Sequence, residues 1–130
     1  MKIATIIARV LLGLVFLVFG LNAFFHFVPM PPPKNEAGAF MGALFSSGYL
    51  YAIKCFEVAG GLLLLIGRKV PLGLTLLGPV IVNILFYDIF LDHSGLPMGI
   101  VVAALALFLL RAYRSAFAGL LASDSAQGHL

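Results

Sequence analysis

The chain has 130 residues, of which 62% are hydrophobic and only 10% charged, with a formal net charge of +3. A soluble domain needs charged residues at roughly a quarter of its positions, so this composition excludes water as the main solvent. The basic residues lie between apolar runs and form no stripe, so the positive charge does not call for a nucleic-acid partner.

Four apolar runs, 3–28, 49–66, 71–91 and 96–113, approach the roughly 20 residues that cross about 30 Å of hydrocarbon as a helix. Unpaired strand edges are not tolerated in lipid, and the runs lack the alternation of a membrane barrel. The expected fold is all-α: an integral membrane four-helix bundle, up-down-up-down, with the lipid bilayer as its first partner.

The first run follows Met1-Lys2. It is too long for a signal peptide and no small-residue cleavage site follows, so it is expected to be retained as a span. The loop at 29–48 opens on Met30-Pro31-Pro32-Pro33, which must be extended because consecutive prolines exclude helix. Beyond it, Ala37, Phe40, Met41, Leu44 and Phe45 recur at helical spacing and Ser46-Ser47-Gly48 closes the segment. A short amphipathic helix is expected at the outer interface, either capping a space between the spans or lying on lipid.

The second span leads through Gly67-Arg68-Lys69-Val70-Pro71, with proline placed to open the third. Asp92-His93-Ser94-Gly95 joins the third span to the fourth. Both links are short, so consecutive spans are antiparallel neighbours. Residues 1–114 form the membrane domain and 115–130 a tail, whose final residues are expected to be disordered.

Basic residues set the orientation. Lys2, Arg9, Arg68, Lys69, Arg111 and Arg114 gather at one end of the spans, while the other carries Lys34 and Glu36 with Asp88, Asp92 and His93. The rule that positive loops stay inside places both termini in the cytoplasm, with topology and anchoring as the role of Arg9, Arg68, Lys69, Arg111 and Arg114. Arg9 lies about 9 Å from the inner end, where it can snorkel or meet the last turn of another helix. Asp88, Asp92 and His93 read as a solvated outer rim.

Val10-Leu11-Leu12-Gly13-Leu14 returns as Val70-Pro71-Leu72-Gly73-Leu74, a faint sign of two hairpins of like design, though apolar spans also align by chance. Gly13, Gly20, Gly60 and Gly61 would let helices approach closely.

Cys55 is the single cysteine, so no internal disulfide and no Cys-x-x-Cys pair can form. There is no glycine-rich phosphate loop, no His-Glu-x-x-His and no metal-ligand set. The chemistry that remains is polar and within the bilayer. At about 1.5 Å of rise per residue, Glu57 and Asn83 lie about 12 Å deep from the outer ends, Asn22 about 9 Å and Lys54 about 7 Å. Lys54 with Glu57, Asn22 with His26, and Asn83 with Tyr87 share helix faces, so three helices can aim polar groups into a common interior. Charges in hydrocarbon cost a few kcal/mol each, so Lys54 and Glu57 should pair or meet water. Glu57 is the leading functional candidate, against a bland alternative in which the layer only glues helices. His26 and His93 sit at the surface ends, where a haem or metal role is not expected.

The stretch from Ala8-Arg9 to Leu21-Asn22, the Glu57-Val58-Ala59-Gly60-Gly61 segment and Pro79-Val80-Ile81-Val82-Asn83 resemble the small bacterial DoxX-like membrane proteins, from about Lys2 to Arg114. The resemblance implies four spans in the cytoplasmic (inner) membrane and a loose link to redox, as in a subunit of an archaeal thiosulfate:quinone oxidoreductase. Arg9, Glu57 and Asn83 are the family-like positions. The absence of a dithiol or evident cofactor ligands points to an oxidoreductase-associated subunit rather than an independent enzyme.

Three functions follow as expectations. In the first, a quinone-binding or accessory subunit of a membrane oxidoreductase, Glu57, Lys54 and Asn83 hold the head group while Tyr87 or His26 relays protons. In the second the chain is a small proton-coupled solute carrier, and in the third a scaffold that binds another membrane protein.

Overall fold

The structure is a computed structural model that describes residues 2–26 and 33–121. Six α-helices follow in order: α1 (Lys2–Phe25), α2 (Asn35–Ser47), α3 (Tyr49–Ile66), α4 (Val70–Phe90), α5 (Leu96–Ala112) and α6 (Arg114–Leu121), with a 3-10 turn at His93–Gly95. α3, α4 and α5 lie within one residue of the apolar runs at 49–66, 71–91 and 96–113, and α1 is helical from Lys2 to Phe25. The extended proline run, the end of the first run at 27–28 and the end of the tail lie outside the described residues.

Four of these segments are long and apolar enough to cross a membrane, the fourth being α5 together with its 3-10 turn. α1 packs on α3, α3 on α4, α4 on α5 and α5 back on α1, which makes a closed up-down-up-down ring. The protein is an all-α membrane bundle, as expected. Its core is a column of side chains that includes Leu12 and Phe16 of α1, Leu64 of α3, Leu77 of α4 and Leu109 of α5. Outward positions are as apolar as inward ones, because lipid rather than water meets them.

The glycines set how close the helices come. A Cβ placed on Gly61 would stand 2.8 Å from the Gly13 carbonyl oxygen of α1, and one on Gly73 would stand 3.1 Å from the Gly60 carbonyl oxygen. The Gly60-Gly61 pair therefore lets α3 touch α1 on one side and α4 on the other, main chain to main chain. Gly13 and Gly73, the matched positions of the sequence repeat, meet the two members of that one pair.

Helix ends are closed locally. Gly67, at φ 79°, stops α3 and donates its N–H to the Leu63 carbonyl oxygen at 3.0 Å. Pro71 opens α4 as expected. α6 was not foreseen: it continues from α5 after Tyr113, and Phe117 on it packs against the core.

Candidate functional site

Arg9 reaches from α1 to the end of α3, where its Nη1 donates to the Leu64 carbonyl oxygen at 2.6 Å and to that of Leu65 at 3.3 Å. Those carbonyls belong to the last turn of α3, where no further helix N–H is available and the helix dipole is negative. One cation thus closes a helix end inside a span, the second of the two placements expected for it.

On α3 itself, Lys54 and Glu57 pair across one turn, with Lys54 Nζ donating to Glu57 Oε1 at 3.2 Å. Glu57 is buried at 4% exposure, whereas the Lys54 side chain keeps 20% of its surface open. Glu57 leaves α3 on the side that faces α1, since a Cβ on Gly20 would come within 3.2 Å of the Glu57 Cβ. Asn22 is buried on the α1 side of the bundle.

Beside the seam between α1 and α3 runs an apolar groove of about 420 Å³, lined by Leu21, Phe24 and Phe25 of α1 and by Cys55, Val58 and Ala59 of α3. Residues flanking Glu57 in the sequence therefore form one wall, and Cys55 is exposed on it. The amphipathic helix α2 lies at this end of the bundle, packed on α3. Its Phe45 ring stands 5.8 Å from that of Tyr51, which is in turn 5.2 Å from Phe24, and its Phe40 ring stands 5.9 Å from Tyr87 on α4. α2 thus roofs α3 and reaches α4.

The structure does not gather all the expected residues into one interior. Asn83 points outward, its side chain exposed and folded back so that Nδ2 donates to the Pro79 carbonyl oxygen at 3.0 Å. The reason is register: the inner face of α4 runs through Leu77, Val80, Ile81 and Asp88, and Asn83 falls on the other side. Tyr87 is engaged under α2, and His26 is exposed at the end of α1 with its backbone at φ 54°. Arg68, Lys69, Arg111 and Arg114 are exposed at the opposite end.

Asp88 departs most from the sequence reading. It is no solvated rim residue: it is 5% exposed, its Oδ2 has no hydrogen-bond partner among the described residues, and it packs where α4 meets the start of α5. Helical spacing gave the signal, because Asp88 continues the stripe of Leu77, Ile81 and Ile84 at steps of four, three and four. Asp92, beyond the helix, accepts from the Ser94 hydroxyl at 2.6 Å and from its backbone N–H at 3.0 Å; these bonds hold its carboxyl below the usual aspartate range. No cluster of three or more His, Cys, Asp or Glu suited to a metal occurs among the described residues.

Among known proteins, the family model described as DoxX matches residues 4–88, a stretch that holds Arg9, Glu57, the paired glycines, Asn83 and Asp88. No curated protein and no solved structure matches the chain.

Proposed function

The chain belongs to the DoxX family of membrane proteins, and on that premise we propose that it is a quinone-binding or accessory subunit of a membrane oxidoreductase system. One observation carries the reading: a buried Glu57 paired with Lys54 leaves α3 on the side that faces α1, where an apolar groove bordered by phenylalanines runs. A quinone joins a planar apolar body to two carbonyl acceptors. It fits a groove that is apolar along its length with a donor at hand, and Lys54, next in the chain to the lining Cys55, would supply one. Glu57 would hold Lys54 in place and keep a proton acceptor near the head group.

The electron donor, in this reading, is a partner protein, in keeping with the redox link that the family resemblance implies. The basic end of the bundle faces the cytoplasm, which puts both termini inside the inner membrane of a bacterium.

A scaffold role is favoured by a different observation, the exposed Asn83 amide at a lipid-facing position of α4, which a partner helix could bond.

Mass spectrometry of organic extracts of the purified protein tests the choice, with wild type beside Glu57→Gln and an unrelated four-span control. Quinone enriched in wild type and lost in the variant is the expected result. Extracts that match the control, with a protein recovered through Asn83, would replace the quinone site by the scaffold.

A further inference from the structure

Asp88 is a buried acid that the groove and the Lys54–Glu57 pair leave unused. Its oxygens lie against the first turn of α5. A Cβ on Gly95 would come 2.8 Å from Oδ1, and one on Gly99 would collide with Oδ2. Gly95 and Gly99 stand four residues apart on one face, so the carboxyl fills space that their missing side chains leave open, close to main chain.

Among the described residues no cation pairs with it. Tyr87 precedes it on α4 and meets Phe40 of α2. Asp92, four residues on, carries the same charge and is occupied by Ser94. The His93 ring binds the Ile89 carbonyl oxygen through Nε2 at 2.6 Å. Leu96, Pro97, Met98 and Gly99 of α5 bring nothing titratable. Among the described residues the one ion pair is Lys54 with Glu57.

The amino end of α5 would favour an anion, but Pro97 removes one of its amide donors and no N–H among the described residues bonds to Asp88 Oδ2. An ionised carboxylate here would be buried beside a second acid with an oxygen left unbonded, which costs more than burial of the neutral acid.

We propose that Asp88 is a proton-binding site, occupied at neutral pH, at which the carboxyl packs as the neutral acid against the first turn of α5. The step is simple: a proton from the aqueous phase bonds to one carboxylate oxygen, and no other bond changes. The site stands apart from the quinone reading and holds whether or not that reading does.

Infrared spectroscopy of the protein in lipid nanodiscs between pH 5 and 9 tests it, with wild type, Asp88→Asn and Glu57→Gln compared. At pH 7 the carbonyl-stretch band of a protonated carboxylic acid is expected in wild type and in E57Q, and should lose one carboxyl's intensity in D88N. Thermal unfolding supplies a second readout, because asparagine has the shape of the neutral acid. Wild type and D88N should melt together below about pH 4, where the acid is neutral in the folded and the unfolded chain alike. A folded state that binds more protons than the unfolded one loses stability as pH rises, so wild type should fall below D88N toward pH 9. A band that D88N leaves unchanged, or a D88N protein less stable than wild type at every pH, would overturn the proposal and make Asp88 an ionised clamp on α5.

Discussion

Gly61→Ala tests how the bundle is held. The added Cβ would stand 2.8 Å from the Gly13 carbonyl oxygen, 2.8 Å from the Leu17 nitrogen and 3.3 Å from the Phe16 carbonyl carbon. Ordinary contact begins at 3.4 Å, so α1 must retreat by the difference between 3.4 and 2.8 Å, or 0.6 Å. All three obstacles are backbone, and no flexible side-chain tip can give way instead. The retreat loosens the seam around Leu12 and Leu64, both fully buried. Overpacking of this kind costs about 1–3 kcal/mol. Alanine also gains roughly 1 kcal/mol over glycine in a helix, and that gain must be removed from the comparison. Gly42→Ala on α2 serves the purpose, since nothing lies within 4 Å of its added Cβ. The unfolding free energies of the two variants in mixed micelles should differ by about 1–3 kcal/mol, with G61A the weaker. Two variants that agree within about 0.5 kcal/mol would refute the claim that α1 and α3 meet main chain to main chain at this point.

Arg9→Ala leaves the Leu64 and Leu65 carbonyls without their donor and should cost about 1.5–3 kcal/mol in the same assay, with Arg9→Lys recovering part of it. Lys54→Met leaves Glu57 buried without its partner and should destabilise more than Glu57→Gln, which leaves Lys54 free to reach water; the double variant should recover part of the loss, as a thermodynamic cycle would show. For Asp92, whose folded carboxyl titrates below its unfolded value, the added stability is present above the ordinary aspartate range and is lost as pH falls through the folded titration. Ser94→Ala should move that titration upward, as carbon-detected NMR of the side chain can follow.

The spans were legible because lipid imposes both their length and their apolarity, and α3 has the same limits by either route. The Gly60-Gly61 pair was legible as a packing device for the same reason: glycine is otherwise costly inside a helix. The sides of the helices were harder to read. In water a helix shows its core face by contrast with a polar face, but on α4 the outward Leu72, Val82 and Phe86 are as apolar as the inward Leu77, Val80 and Ile81. Depth alone therefore grouped Asn83 with Glu57, although the turn of the helix sets Asn83 outside and Asp88 within. α6 went unread because Tyr113 and Arg114 looked like the end of a span, and its apolar residues are too few to announce a helix.

The packing also bears on which kind of protein this is. A carrier built from two repeats moves its substrate by rocking one against the other. Here the repeats would be α1 with α3 and α4 with α5. Their seam includes Gly60 against Gly73, where a Cβ on Gly73 would be only 3.1 Å from the facing carbonyl oxygen. Backbones this close, with the Leu77 side chain seated over Gly60, leave little room for one half to slide on the other. α3 is further tied to α1 through Gly61 and the Arg9 bonds, and α2 lies across its far end. The helix that bears Lys54 and Glu57 is thus restrained by both of its neighbours. A pair so held suits a ligand that approaches from the side, through the groove between α1 and α3, better than a solute passed from one face of the membrane to the other. The same restraint makes α3 a fixed reference for the seam between α4 and α5, where the Asp88 carboxyl meets the glycines that open the last span.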